Sequence, residues 1–481
     1  MAAYDYDLIV IGGGPAGLAA AKAASALGKK VAIIEKEKLG GECFWTGCIP
    51  SKTLINVAAV AHAAKQAHTM GGSGQLVFDS HAIMDHVRAT IKSVYQSQVI
   101  DTIQHENIKI IYGHALFLDA HHIEVGHTKV RFNKVIIATG SSPAIPDIDG
   151  LSSVAYLTNQ TIFDLEQLPA SMIILGAGAI GVELACAFNR LGVKVTLIAR
   201  GDHIMPNDDI QLSSMLATSM ADEGVMIATN MHATSVMHHG HGIKLIATDS
   251  DNNEHEFSAD KILIATGRMP NVYQLGLQNA GVHFDKQGLK VDAHLATTQK
   301  NIFACGDVVG PYRLSHMAEY QARIAVHNAF AWISKRVDSG DAVWVTYSAP
   351  EFAAFGVTQD KASQLHGSSI CVYNAWYSEI DRAHTDQALC GMATVICDKK
   401  GYIIGAHILG ARAGEIIHEL HLAQLKKIKL ADLYTIVHAY PTYSQLINRL
   451  AKKAYNDQQN HRIIGFLKKK IMGHSITKGN R

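Results

Sequence analysis

The sequence predicts an α/β fold in which one βαβ unit is inserted into another, followed by a C-terminal α+β domain. Three observations predict it. A strand, glycine turn, helix and strand open the chain, and the same order recurs 164 residues later. Each copy has its own closing strand ending in Ala-Thr-Gly, at Val135 to Gly140 and at Ile262 to Gly267. From about Thr346 the pattern changes to short strand-like runs and then helices. The result is two Rossmann-like domains, the second inserted in the first, plus the C-terminal domain.

The first unit begins with the apolar run Asp7 to Ile11, then Gly12-Gly13-Gly14-Pro15-Ala16-Gly17, an Ala-rich helical stretch, and Val31 to Glu35. Gly12, Gly14 and Gly17 form a GxGxxG turn, which brings backbone N–H groups and a helix N-terminus against a pyrophosphate. Glu35 ends the next strand, where a carboxylate can take both hydroxyls of an adenosine ribose. Ala138, Thr139 and Gly140 close the unit and are candidate dinucleotide contacts.

Cys43-Phe44-Trp45-Thr46-Gly47-Cys48 is the chemical centre of the sequence. Residues five apart on an ideal helix have Cα atoms about 8.6 Å apart, whereas a disulfide wants about 5.5 to 6 Å. A Cys43 to Cys48 bridge must therefore bend the helix or sit on its distorted first turn, which makes it easier to reduce. Thiolates near a helix N-terminus also have lowered pKa values. A zinc half-site, whose second pair is missing, and two unconnected core cysteines are the competing readings.

The second unit runs from Met172 to Leu175 through Gly176, Gly178 and Gly181, a helix to Arg190, and Val193 to Ile198. Where Glu35 stood in the first unit, the second has Ala199-Arg200. An arginine beside a vacant acidic position accommodates a 2′-phosphate, so NADPH is expected over NADH. Beyond Thr346, strand-like runs at Ile370 to Tyr373, Gly391 to Cys397 and Tyr402 to Ile408 precede helical stretches at Gly414 to Leu425 and Tyr443 to Ala454.

Composition excludes several function classes. A length of 481 residues suggests roughly three domains, and a formal charge of +1 gives no basis for nucleic-acid binding. Asp5 and Asp7 precede the first apolar run and no uncharged apolar stretch reaches about 18 residues, so neither secretion nor membrane spanning is expected. Seven cysteines, an odd number, do not form the framework of a secreted scaffold, and a cytoplasmic location is expected. The small total charge hides a basic tail: residues 452–481 hold eight Lys/Arg and one Asp, a local +7 that leaves −6 for the rest. This tail is read as solubilising or subunit-contacting, with weak contact to an anionic membrane surface as the alternative. The 27 histidines include His121-His122 and His238-His239-Gly240-His241, read as solvated turn residues.

The motifs Gly12-x-Gly14-x-x-Gly17, Gly40-Gly41-Glu42-Cys43-x-x-x-x-Cys48-Ile49-Pro50-Ser51-Lys52, the second glycine turn, Ala265-Thr266-Gly267-Arg268-x-Pro270-Asn271 and Ala304-x-Gly306-Asp307 occur in this order. Over about residues 5 to 450 the chain resembles the FAD-dependent pyridine nucleotide-disulfide oxidoreductases, the family of dihydrolipoamide dehydrogenase, glutathione reductase and mercuric reductase. The resemblance implies an FAD-binding domain in two parts (1–150 and 271–345), an NAD(P)-binding domain (151–270), a dimerisation domain (346–451) and the basic tail (452–481), acting as a homodimer. It places FAD on the first glycine turn, with Glu35 on the ribose and Gly306 and Asp307 at the ribityl chain. Gly267 would border the nucleotides. Lys52 matches the lysine near flavin N5 and Glu183 its carboxylate partner; without the family both are unremarkable helix residues. Cys48 matches the proximal sulfur and Cys43 the distal one that exchanges with substrate. Electrons would pass from NADPH to flavin, to the disulfide, and to the acceptor.

One departure bears on the substrate. Dithiol-processing relatives carry a C-terminal His-Pro-Thr segment followed by Ser-Glu, a His-Glu acid/base pair. Here Tyr440 precedes Pro441-Thr442, and Gln445 follows Ser444. A phenol is a poor base at pH 7 and Gln cannot ionise, so dihydrolipoamide or glutathione turnover should be slow. His438, two residues away, is expected to pack in the core. Mercuric reductase has a tyrosine at this place, and a soft metal ion needs thiolates rather than a base. Residues 398 to 481 nevertheless lack the C-terminal cysteine pair of that enzyme, and no amino-terminal metal-binding module is expected. The acceptor is therefore expected to be a metal ion, a quinone or a specialised disulfide. An NAD-linked dihydrolipoamide dehydrogenase, and a redox or metal sensor without sustained turnover, are the alternatives.

Overall fold

The computed structural model describes residues 4–74, 76–100, 103, 108–338, 340 and 342–476, with side chains outside 461–476. The chain divides into two compact units, Met1–Asp202 with Glu223–Ser339, and His203–Asp222 with Gly340–Arg481.

In the first unit, β1 (Tyr6–Ile11) leads through its glycine turn into α1 (Pro15–Ser25) and back to β2 (Val31–Glu35). β1 lies parallel between β2 and the strand Thr128–Ile137, with Ile9 opposite Ala32 and Val135. Both faces of this sheet are covered, so its strands are continuous apolar runs rather than alternating ones. The strand Ile302–Ala304 pairs parallel with Thr128–Ile137, although 164 residues separate Ile137 from Ile302 by only one excursion of the chain. That pairing is the structural signature of insertion: the chain leaves after the first closing strand, builds a second sheet, and returns.

The second sheet is parallel, ordered Met226–Ala228, Lys194–Ile198, Ser171–Leu175, Lys261–Ile264. An antiparallel three-stranded sheet accompanies it, and its first hairpin, His232–His239 to Gly242–Thr248, carries His238, His239 and His241 at the turn. His238 contacts the Ser153 carbonyl at 3.0 Å.

The second unit is built on an antiparallel sheet ordered Val343–Thr346, Phe352–Gly356, Ile403–Leu409, Met392–Asp398, Ile370–Trp376. The helix Ala413–Leu425 buries Ile416, Ile417 and Leu420 in the same core as Val395 and Ile408. Two differences from the sequence reading appear here. The segment His203–Asp222, expected within the NAD(P)-binding domain, groups with the C-terminal sheet; the Trp344 indole donates to Asp208 at 2.7 Å. The last helix, expected over Tyr443 to Ala454, spans Gln445–Ile476. Its apolar pattern fades after Ala454, but no proline follows to remove a backbone donor, so the ladder continues. Residues 477–481 of the basic tail, and the side chains of 461–476, lie outside the described residues. Among the described residues, no helix is long and apolar enough to cross a membrane.

Candidate redox and nucleotide site

All the geometry given next lies within the first unit. After β2 the chain forms the short helix α2 (Gly41–Trp45), breaks at Thr46 and Gly47, and starts α3 (Cys48–Gln66). Cys43 and Cys48 thus do not share one regular helix, which answers the distance problem posed by their five-residue spacing. Gly41 has φ +58°, and a Cβ there would lie 2.8 Å from the Gly14 Cα. Close packing against the first glycine turn therefore sets where the cysteine segment sits.

Both sulfurs are free thiols, hydrogen-bonded to one another. Cys48 opens a helix of 19 residues, where the dipole favours a thiolate, and its Sγ lies 3.3 Å from Ser315 Oγ. The hydrogen bond with Cys43 pulls the Cys48 thiol down to about 6, with Ser315 and the Lys52 ammonium acting the same way; burial and Glu183 oppose them. The same hydrogen bond, together with burial and the neighbouring Cys48 charge, pushes Cys43 well up. The reduced pair therefore keeps its proton on Cys43 and its charge on Cys48. Lys52, one turn along α3, donates to Glu183 Oε2 at 2.8 Å. Glu183 is buried in the helix Ala179–Arg190 that follows the second glycine turn.

A second ion pair holds the other side of the cysteine segment. Arg268 donates to the Glu42 carboxylate, to Ser141 Oγ and to the Ser141 carbonyl, the last two at 2.7 Å. Ser141 Oγ in turn donates to Asp307 Oδ2 at 2.6 Å, and Gln160 donates to Glu42 Oε1 at 2.6 Å. The residue preceding Cys43 is thereby linked through two side chains to the aspartate expected at the ribityl chain.

Both glycine turns leave room for a phosphate group beside a helix N-terminus. A Cβ on Gly12 would lie 2.4 Å from the Ala138 carbonyl oxygen and one on Gly17 only 1.8 Å from the Gly12 oxygen, whereas one on Gly14 would meet nothing closer than the Gly41 Cα at 3.9 Å. The second turn repeats this: Gly176 at 2.3 Å from Ala265 O, Gly181 at 1.9 Å from Gly176 O, and Gly178 open. In each turn two glycines serve internal packing and the middle one leaves free space beside a helix N-terminus that no side chain caps. Glu35 accepts from the Gly13 N–H at 2.6 Å and the Glu37 N–H at 2.7 Å, which fixes its carboxylate at the end of β2. Thr139 and Asn271 are joined by two hydrogen bonds, Thr139 Oγ1 to the Asn271 carbonyl at 2.7 Å and Asn271 Nδ2 to the Thr139 carbonyl at 2.9 Å; Gly140 and Gly267 border open space. The Gly306 N–H donates to Gln321 Oε1 at 2.8 Å. Arg200 is exposed just past the strand Lys194–Ile198.

Tyr440 belongs to the second unit. It is 68% exposed and donates to Asp381 Oδ2 at 2.8 Å, an arrangement that raises its pKa. His438 is buried as expected, with its side chain 7% exposed, and it also has polar partners: its Nε2 lies 3.0 Å from Glu419 Oε1 and its Nδ1 3.1 Å from the Ile436 carbonyl. Sequence reasoning gave no role to Ser315 or to the Arg268 to Glu42 contact. Ser315 is 267 residues from Cys48 and carries no local signal; Arg268 stood in a recognised motif, but its partner is set by tertiary packing alone.

The family model described as pyridine nucleotide-disulphide oxidoreductase matches residues 6–322, and the family's dimerisation-domain model matches residues 342–451. A mercuric reductase of Bacillus cereus is 29% identical over 445 residues, covering 92% of this chain and 70% of that protein. A dihydrolipoyl dehydrogenase of Mycobacterium leprae is 33% identical over 455 residues, covering 92% and 96%. Among solved structures, a Cu(II) complex of the HOCl-induced flavoprotein disulfide reductase RclA from Escherichia coli is similar at TM-score 0.82 and 27% identity, covering 92% of this chain and 99% of that one.

Proposed function

The chain belongs to the pyridine nucleotide-disulphide oxidoreductases, FAD-containing enzymes that use NAD(P)H, and from that premise we propose that it draws on NADPH and delivers electrons through Cys43 and Cys48 to a metal ion, a quinone or a specialised disulfide. The observation that carries this reading is the placement of Cys43 and Cys48 across a helix break, with Cys48 Sγ 3.3 Å from Ser315 Oγ and Lys52, held by Glu183 at 2.8 Å, one turn along α3. Bound FAD supplies the two-electron link between the nicotinamide and the disulfide. The protein's own residues do the rest. Gly14 and the N-terminus of α1 would hold the FAD pyrophosphate, and Glu35 and Asp307 its hydroxyls. Gly178, Gly181 and Arg200 would hold the nicotinamide nucleotide, with Arg200 on a 2′-phosphate. Lys52, anchored by Glu183, stabilises negative charge beside Cys48. Cys43 presents its sulfur to the acceptor.

The nature of the acceptor is read from what replaces the base. Tyr440 keeps its proton at neutral pH, as a phenol ordinarily does, and its hydrogen bond to Asp381 raises its pKa further. It suits an acceptor that needs thiolates and no proton removal, such as a soft metal ion. The match of residues 342–451 to the dimerisation domain supports a homodimer, and the cysteine usage supports the cytoplasm. An acceptor screen with wild type and Tyr440→His tests the reading. Wild type should turn over NADPH with metal ions, Cu(II) included, or quinones, and the variant should gain dithiol turnover. Robust NAD-linked oxidation of dihydrolipoamide by wild type would instead establish the second reading, which the 33% identity to a dihydrolipoyl dehydrogenase favours. Failure of both NADPH and NADH to bleach the flavin anaerobically would sink the enzyme reading and leave the sensor.

A further inference from the structure

We propose that Cys371 and Cys397, in the second unit, are a second redox pair that closes into a cross-strand disulfide when the protein meets a peroxide. The two residues stand directly opposite each other on the antiparallel strands Ile370–Trp376 and Met392–Asp398. Opposed residues of such strands have Cα atoms about 4.5 to 5.5 Å apart and side chains on one face, inside the range of about 4.4 to 6.8 Å that a disulfide spans. The neighbouring opposed pairs on that face, Tyr373 with Val395 and Ala375 with Ala393, show which face it is. Ala375, Ala393, Val395 and Cys397 are all fully buried in one core, with Cys371 and Tyr373 packed at its margin. Cys397 also sits at an irregularity in its other pairing, between Ile396 and Cys397, which leaves that end of the strand less constrained by the ladder.

The two sulfurs differ in a way that orders the chemistry. Cys397 is completely buried, and burial followed by the neighbouring Cys371 pushes its thiol up. Cys371 is only half-buried and is the sulfur a small oxidant reaches. Its sulfur attacks the peroxide, the O–O bond breaks, and Cys371 becomes a sulfenic acid with release of one water. The Cys397 sulfur then displaces that hydroxyl, forming the S–S bond; its thiol proton leaves with the hydroxyl as a second water. One peroxide is reduced to two waters and two thiols are oxidised to one disulfide.

The test treats the FAD-loaded wild-type protein with hydrogen peroxide, alkylates the remaining thiols under denaturing conditions, and digests with trypsin without reductant. Residues 362–382 and 383–399 are tryptic peptides carrying Cys371 and Cys397, the second also carrying Cys390. The expected result is the two peptides joined, fragment ions placing the link at Cys397, and their separation by dithiothreitol. Cys371→Ser should remove the linked species and leave basal NADPH turnover unchanged. Recovery of Cys371 and Cys397 as separately alkylated residues, of Cys371 as a sulfinic acid, or of a link through Cys390 would overturn the proposal. Because the readout is taken on wild type, it does not depend on how a variant folds.

Discussion

Replacing Cys43 with alanine should strip Cys48 of most of its charge at neutral pH while leaving that sulfur in place. In the reduced protein the Cys48 thiol lies at about 6 instead of its ordinary 9.0, and the hydrogen bond from Cys43 is the largest cause. At pH 7 a group at about 6 is ionised roughly 10:1, whereas one at 9.0 is ionised about 1:100, so loss of the whole shift lowers the thiolate ratio about 1,000-fold, or about 4 kcal/mol at 1.36 kcal/mol per unit. That figure is an order of magnitude, because in the variant Ser315 and Lys52 still lower the thiol while burial and Glu183 still raise it. The sign follows from a lowered value: the thiolate is present above about pH 6 and is lost as pH falls through it. The assay alkylates the FAD-loaded protein, reduced beforehand, across a pH series, and mass spectrometry of the peptide carrying residue 48 gives the midpoint. Cys43→Ala should move this midpoint from about 6 to above 7, and Cys43→Ser, which keeps a hydroxyl donor, should move it less. A midpoint that stays near 6 in the alanine variant would refute the division of charge and proton between the two sulfurs.

Four further outcomes are expected. Gly14→Ala should yield folded protein with little FAD, because its Cβ would enter open space, whereas Gly17→Ala, with its Cβ 1.8 Å from the Gly12 oxygen, should lose stability itself; thermal melts and flavin absorbance separate the two. Lys52→Met should raise the Cys48 midpoint by less than Cys43→Ala does, since the ammonium ranks below the hydrogen bonds among the groups lowering it; the same pH series reads this. Arg200→Ser should cut kcat/KM for NADPH about 10- to 100-fold, the worth of a charged hydrogen bond, and leave that for NADH unchanged. Glu42→Gln should cost about 1 to 2 kcal/mol in urea denaturation, less than a deeply buried pair because the Arg268 and Glu42 side chains are 17% and 27% exposed.

What the sequence reveals of this fold follows how local each signal is. β1, β2 and the glycine turns were legible because a buried parallel strand is a run of apolar residues and a tight strand-helix turn admits only glycine at particular places. Gly14 and Gly178 matched a motif, but only the structure shows that they differ in kind from Gly17 and Gly181, which pack against their own turns. The end of the last helix was not legible, because the polar run from Asn456 to Arg462 interrupts its apolar pattern after Tyr455. The pairing of Arg268 with Glu42, 226 residues apart, depends on the return of the chain from the inserted unit and leaves no trace in spacing. His438 is buried as its position suggested, but its partner Glu419, on the helix Ala413–Leu425, likewise leaves no trace in spacing.

The insertion has a consequence at Cys48. Lys52 lowers the Cys48 thiol and Glu183 raises it, yet Glu183 belongs to the helix that opens at the second glycine turn, not to the cysteine segment. Arg268, which holds Glu42, lies just past the second closing strand. The cysteine segment is therefore fixed on both sides by residues the inserted unit supplies or positions. A shift of the helix Ala179–Arg190 that lengthened the Lys52 to Glu183 contact would alter two opposing charges near one thiol. Glu183→Gln tests the field of this pair directly: it keeps a hydrogen-bond acceptor for Lys52, takes away the charge that raises the thiol, and should lower the Cys48 midpoint, whereas Lys52→Met raises it. If both substitutions moved the midpoint the same way, the pair would act on Cys48 through packing and not through its field.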